Sequence, residues 1–170
     1  MARFRGMIPA DYPRVLEINA ANLPEVGPID ADRLDLLVTD SVVALVAEIV
    51  HPAGPTIAGF CIVLGPGSTY DSVNYRWFMD RYDDAWYLDR VALDAGFRRQ
   101  GLGTQLYAHV DREIEARRAA GADIARLTLE VNVDPPNEPS MAFHTRHGFT
   151  EVGQQETPYG AVVSLLEKRY

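Results

Sequence analysis

The run Val91-Ala92-Leu93-Asp94-Ala95-Gly96-Phe97-Arg98-Arg99-Gln100-Gly101-Leu102-Gly103-Thr104 carries the residue types that hold an anion. It joins an apolar, strand-like stretch to the start of a long helical pattern. At such a junction unpaired backbone N–H groups converge on the positive end of the helix dipole. Glycines without a Cβ let phosphate oxygens come close to the backbone, and Arg98 and Arg99 add formal charge. A nucleoside-triphosphate loop would need Lys followed by Ser or Thr at its second glycine, but Leu102-Gly103 follows Gly101. A dinucleotide loop would need a glycine three residues after Gly103, where Leu106 stands. Taken alone, the glycines also fit a plain strand-to-helix turn. His144 and His147, three residues apart, lack further ligands at metal spacing, so no metal is expected. Cys61 sits in the apolar run Ile57–Leu64 and reads as a buried, inert thiol.

The 170 residues, 47% hydrophobic and 24% charged, suit a single domain over residues 1–170. Sixteen Lys and Arg against twenty-four Asp and Glu give a net charge of −8, with no basic stripe, so nucleic-acid binding is disfavoured. No stretch approaches the roughly 18 apolar residues of a membrane span, and the N-terminus lacks an apolar signal, so a cytoplasmic protein without membrane contact is expected.

Around the glycine turn, hydrophobic spacing predicts a strand over Phe4–Met7, a helix carrying Val15, Leu16 and Ile18, and a second helix over Ala31–Asp40. Val42–Val50 and Thr56–Leu64 read as a hairpin. Gly65–Asp84 reads as a long aromatic insert, and Trp86–Leu93 as a strand. Gly101–Ala120, with Leu102, Leu106, Val110 and Ile114 every four residues, reads as a long helix. A strand through Leu127–Val133, a helix from Pro139 to about His147, and strands over Thr150–Glu156 and Val162–Lys168 complete the pattern.

Arg98-Arg99-Gln100-Gly101-Leu102-Gly103 resembles the pyrophosphate loop of the GNAT superfamily of N-acetyltransferases, written Arg/Gln-x-x-Gly-x-Gly/Ala between a strand and a long helix. A second, ordered resemblance follows in Leu129-Glu130-Val131-Asn132, Asn137, Ser140-Met141-Ala142-Phe143 and Gly148-Phe149. The match is close over Trp86–Val152. It implies an α/β (mixed α+β) fold with a twisted, mixed sheet of six or seven strands flanked by about four helices. The sheet would splay between the strands ending near Leu93 and Val131. Acetyl-CoA is the implied cosubstrate. By resemblance its pantetheine would pair with the backbone of Val91 and Leu93, and its pyrophosphate would meet Arg99, Gln100, Gly101, Gly103 and Thr104, with Arg98 nearby. Asn132, Asn137 and Ser140 would line the other side. A homodimer is possible by the same resemblance, with no interface marked in the sequence.

Acetyl transfer to an amine needs a neutral nucleophile, a polarised thioester carbonyl and stabilisation of the departing thiolate. Where the family usually has Tyr, four residues before the glycine of Gly-Phe, this chain has His144. An imidazolium, with an ordinary pKa of about 6.5, could serve as an acid, or a ring N–H could hydrogen-bond the leaving group. A surface histidine in place of the usual Tyr is the alternative explanation. Asp89 and Glu130 fall on the strands that would flank the splay and are candidate bases. Both also have structural explanations, Asp89 as an ion pair with Arg90 and Glu130 as one member of an alternating strand. Glu25, Tyr70, Asn74 and Tyr75 are candidate acceptor contacts, and the aromatic insert suggests a covered pocket. The expected reaction is direct acetyl transfer to a primary amine of a small or amino-acid-like molecule. The alternatives are a protein lysine or N-terminal acceptor, or an acyl-CoA-binding module without turnover.

Overall fold

The computed structural model describes residues 2–170. In chain order the elements are β1 (Ala2–Gly6), α1 (Tyr12–Ala20), α2 (Ala31–Asp40), β2 (Ser41–His51), β3 (Gly54–Leu64), α3 (Val73–Met79), β4 (Ala85–Leu93), α4 (Leu102–Ala119), β5 (Arg126–Asp134), α5 (Glu138–Arg146), β6 (Thr150–Glu156) and β7 (Val162–Arg169). Seven strands form one sheet in the order β1-β2-β3-β4-β5-β7-β6. Every neighbouring pair is antiparallel except β4 and β5. Consecutive parallel strands need a crossover connection, and α4 provides it.

The sheet buries both faces. On one, Leu106, Tyr107, Val110 and Ile114 of α4 share a cluster with Val63, Leu88, Leu127 and Leu129. On the other, Val15 and Ile18 of α1, Leu34 and Leu37 of α2, and Tyr75 and Phe78 of α3 pack with Phe60, Ile62 and Tyr87. Alternation along β3 and β4 sends successive side chains to opposite clusters, the geometry of a strand covered on both sides.

The pairing of β4 with β5 sets up the site. It runs only over Ala85↔Arg126, Trp86↔Leu127 and Tyr87↔Thr128. Past Tyr87, β4 keeps its ladder with β3 as far as Gly59↔Leu93, and β5 keeps its ladder with β7 as far as Asp134↔Val162. Each strand therefore stays with its outer neighbour while the two part from each other. The buried Thr128 hydroxyl donates to the carbonyl of Trp86 at 2.9 Å, tying the strands at the last paired rung.

One expectation needs correction. The Gly65–Asp84 insert is not all loop, because Val73–Met79 is helical, with the Ser72 side chain accepting from the Tyr75 N–H as its N-cap. Seven residues rich in aromatics are too short for helical periodicity to stand out. Among the described residues the sheet is flanked by five α-helices, in keeping with the expected mixed fold.

Candidate functional site

Two connected cavities occupy the opening between β4 and β5. The smaller, about 360 Å³, is lined by Val91, Ala92 and Leu93 of β4, Gly103 and Tyr107 of α4, and Pro139, Ser140, Phe143 and His144 of α5, with Asn22 and Arg98 at its rim. The larger, about 1000 Å³, runs between Leu88–Val91 and Leu129–Asn132, under the loop Ala21–Pro28, and past Tyr70, Asn74 and Tyr159. Asn22, Val91, Arg98, Tyr107, Pro139, Ser140 and His144 line both, so the two cavities meet there.

The smaller cavity sets apolar side chains beside unpartnered backbone. Beyond Tyr87 the inner edge of β4 has no β5 partner, which leaves a strand edge facing a groove. At its end, α4 starts from Gly101, which has φ 78° and so occupies a left-handed conformation that suits glycine. Gln105 N–H returns to the Gly101 carbonyl, so the N–H groups of Leu102, Gly103 and Thr104 have no acceptor within the helix. Gly103 has no such backbone demand. A Cβ there would meet only Phe143 and Leu93, at 3.6–3.8 Å, so its bare face is space in the groove rather than a requirement of the fold. Arg99 has φ 61°, and Gln100 donates to the Gly96 carbonyl at 3.1 Å, which holds the turn open around the helix start. Arg98 donates to the Asn22 Oδ1 at 2.8 Å, and Asn22 Nδ2 donates to the Leu93 carbonyl at 3.1 Å.

Some expected cofactor contacts have other duties. Asn137 caps α5, its Oδ1 accepting from the Ser140 N–H at 3.2 Å, and its own N–H donates to the Asn132 carbonyl. Thr104 Oγ1 lies 3.2 Å from Nε2 of His147. Asn132 lines the larger cavity.

His144 is 5% exposed, its Nδ1 is 2.8 Å from the Ser140 carbonyl, and its Nε2 is 2.6 Å from the Tyr107 hydroxyl. A carbonyl only accepts, so Nδ1 carries the ring proton and Nε2 accepts from Tyr107; this tautomer is assigned from the partners. Burial pushes the imidazole pKa down to about 4, with the nearby His147 adding to the effect. The expected imidazolium acid is therefore replaced by a neutral ring whose only N–H is committed to backbone.

The two candidate bases differ sharply. Asp89 is buried and paired with Arg90 at 2.7 Å. Arg90 in turn donates to Asn19 Oδ1 at 3.0 Å and to the Gly27 carbonyl at 3.1 Å, so this carboxylate belongs to the brace of the 21–28 loop. Tyr70 lies beside the same pair, and burial, with the Asp89 charge, pushes its phenol well up. Glu130 has no cationic partner. The Tyr87 hydroxyl donates to it at 2.7 Å, and its open side is the larger cavity. Burial raises its pKa to about 7; the Tyr87 bond opposes this and the Asp89 charge adds to it.

Of the expected acceptor contacts, Glu25 sits exposed at the rim, and Tyr70 and Asn74 line the larger cavity. Asn74 accepts from Gln155 at 2.9 Å and donates to the Tyr159 hydroxyl at 3.1 Å. Tyr75 lines neither cavity: it is 2% exposed, donates to the Gly65 carbonyl at 2.7 Å and accepts from the Ser68 N–H at 3.0 Å. It is a core residue, not a contact. Trp77 likewise packs against Gly153, so the aromatic insert mostly fills the core and leaves the larger cavity wide. Residues missed in the sequence are Tyr107, Asn22, Tyr87 and Tyr159. Tyr107 follows Leu106 on the apolar stripe of α4, and only its polar tip, which must find a partner when buried, distinguished it from core.

Residues 14–149 match the Acetyltransferase (GNAT) family. No curated protein matches the chain. Among solved structures, the ribosomal-protein-S18-alanine N-acetyltransferase from Escherichia coli shares 20% identity, with 99% of this chain and 94% of that one covered and a TM-score of 0.71. NAA60 of Arabidopsis thaliana, solved with acetyl-CoA, shares 15% identity over 99% of this chain and 98% of that one, at a TM-score of 0.75. The protein yncA from Salmonella typhimurium, solved with its cofactor acetyl-CoA, shares 17% identity over 99% and 94%, at 0.68. At these identities the likeness is one of fold.

Proposed function

Because the chain belongs to the GNAT acetyltransferase family, we propose that it moves an acetyl group from acetyl-CoA directly to a primary amine of a small or amino-acid-like acceptor. The observation that carries this reading is the meeting of two unlike cavities at Tyr107, Ser140 and His144. One is a groove between a strand edge and an unpaired helix start, which suits an extended amide-bearing arm ending in phosphates. The other holds a carboxyl group without a counter-ion, which suits an amine.

The residues present fit the cosubstrate. Val91 and Leu93 offer backbone groups to pantetheine, the N–H groups from Arg99 to Thr104 and the Arg98 side chain face the pyrophosphate, and the bare Gly103 leaves room beside Phe143. The Leu93 carbonyl, which already accepts from Asn22, has a second lone pair for that pairing. On the acceptor side Glu130 takes the amine proton, because a carboxylate whose pKa lies near 7 is half-ionised at neutral pH and can accept it directly or through one water. Asp89, held by Arg90, keeps the 21–28 loop in place and contributes no proton step.

A second reading is a free amine on a peptide or protein. It is favoured by the width of the larger cavity and by the exposed Leu23 and Tyr159 at its sides, 44% and 64% accessible. The test is calorimetric titration with acetyl-CoA and CoA, followed by thiol release against pooled small amines and pooled peptides with free N-termini or lysines. Turnover with small amines supports the first reading, and turnover confined to peptides the second. Tight binding without turnover across both pools overturns the enzyme assignment in favour of an acyl-CoA-binding module. Absence of binding overturns the cosubstrate.

A further inference from the structure

Where the cavities meet, Arg98 donates to Asn22 and Asn22 donates to the Leu93 and Ile18 carbonyls, which leaves His144, Ser140 and Tyr107 to compare as donors. The His144 Nδ1–H is committed to the Ser140 carbonyl, and its Nε2 has no proton to give. The Ser140 hydroxyl lies 3.3 Å from the same Nδ1, on the side of the ring away from Tyr107. Tyr107 has a hydroxyl whose hydrogen can be re-aimed by rotation about the C–O bond, as a ring N–H cannot, and its partner is Nε2 at 2.6 Å. The phenol is held by its neighbours: Phe143 at 5.2 Å, His144 at 5.5 Å and Phe149 at 6.0 Å surround the ring edge to face, and the residue is 2% exposed. A ring so packed keeps its oxygen in one place, and only the hydrogen has to change partner.

We propose that Tyr107 is a catalytic residue that stabilises the departing CoA thiolate, its O–H resting on His144 Nε2 until it turns to the sulfur as the C–S bond breaks. This rests on the acetyl-CoA reading above. The electron pair of the C–S bond stays on sulfur, the amine proton goes to the Glu130 carboxylate, and the new C–N bond completes the acetamide. The thiolate leaves as a hydrogen-bonded anion and is protonated in water, so Tyr107 ends the cycle with its own proton. Full transfer from Tyr107 is not required. Burial raises this phenol well above its ordinary value of about 10, while a free thiol ionises near 8.5, so the phenol keeps its hydrogen and shares it. A charge-assisted bond to sulfur is roughly twice as strong as the neutral bond to Nε2 it displaces, which gives the turn its direction. His144 is then a positioning residue, a neutral acceptor that satisfies the buried hydroxyl between turnovers. The titratable groups around Tyr107 are His144 and His147 from α5, Cys61 from β3 and Asp111 from α4.

The test needs no acceptor amine. Calorimetry compares CoA with desulfo-CoA, which lacks the sulfur, at pH 6 and pH 9.5. Ionisations of the protein affect both ligands alike, so the change in their affinity ratio reports the thiolate. The wild-type protein is expected to gain a preference for CoA of about tenfold at the higher pH. Tyr107→Phe should remove this gain while binding desulfo-CoA normally, and Ser140→Ala should keep it. His144→Phe, which removes the resting partner and leaves the hydroxyl in place, should keep or enlarge it, so the inference stays testable if Tyr107→Phe does not fold. A gain that survives Tyr107→Phe, or is lost in Ser140→Ala or His144→Phe, overturns the role of Tyr107. Failure of wild-type protein to bind desulfo-CoA overturns the cosubstrate reading instead.

Discussion

The two halves of the opening between β4 and β5 are built on different principles. On the side proposed for the cofactor, the polar groups on offer are mostly backbone: the unpartnered edge Val91–Leu93 and the first N–H groups of α4. On the side proposed for the acceptor, the cavity is lined by side chains delivered by separate segments, with Glu130 on β5, Tyr70 and Asn74 around α3, Glu25 on the 21–28 loop and Tyr159 between β6 and β7. A site made of backbone needs only a local conformation, so one short motif can specify it. A site made of converging side chains depends on every segment arriving correctly, and its specificity can change one residue at a time without disturbing the other half.

That contrast can be broken by substitutions that cross it. Glu130→Gln should lower kcat by 10²- to 10⁴-fold and leave the calorimetric affinity for CoA unchanged. In the wild type, kcat/KM should rise with pH to a plateau above about 7, because the active form is the ionised carboxylate, and the variant should lose that rise. If CoA affinity falls along with rate, the halves are not separable. Arg90→Met should be costly to stability by about 3–5 kcal/mol in denaturant unfolding, since it strands the buried Asp89 carboxylate and releases Asn19 and Gly27. Unchanged stability would show that the loop brace lies elsewhere.

The His144 imidazole has a folded-state pKa near 4, below its ordinary 6.5. Its neutral form thus contributes stability that is full above about pH 6.5 and is lost as pH falls through about 4, a change of about 3 kcal/mol. His144→Phe should lower stability at pH 7 by leaving the Tyr107 hydroxyl unpaired, yet unfold with a flatter pH dependence between 6.5 and 4. A slope equal to wild type would mean the imidazole is not the group responsible. Gly103→Val should weaken CoA binding about tenfold with the fold intact, as branched carbons enter the groove beside Phe143 and Leu93. Gly101→Val is a poorer probe, because φ 78° penalises any branched residue there whatever the ligand. The smallest effect should be that of Tyr75→Phe, a loss of about 1 kcal/mol from the bonds to Gly65 and Ser68. Its KM for the acceptor should not move, and a raised KM would return Tyr75 to the acceptor site.

Much of this protein is written in local patterns. The hairpin β2–β3, the long helix α4 and the turn Arg98–Gly103 follow from alternation, four-residue spacing and glycine placement, all set by neighbours in the chain. α3 escaped because seven aromatic-rich residues show no period, and its identity as a helix depends on Tyr75 and Phe78 finding the core face of the sheet. The difference between Asp89 and Glu130 was half legible, since the Asp89-Arg90 dipeptide suggested the ion pair while nothing near Glu130 in the chain pointed to Tyr87. Both are carboxylates on strands facing one opening, and only the folded chain brings the Tyr87 phenol, rather than a cation, to Glu130. Position 144 shows the same division. The sequence identified the departure from tyrosine, but the state of the imidazole depended on Ser140 one turn earlier and on Tyr107 from another helix. Chain-local chemistry determined where the glycine turn and most of the strands would be. Tertiary structure decided which titratable groups are desolvated, which are paired and which hydrogen can change partner, because burial and partner choice are properties of contacts between segments distant in sequence.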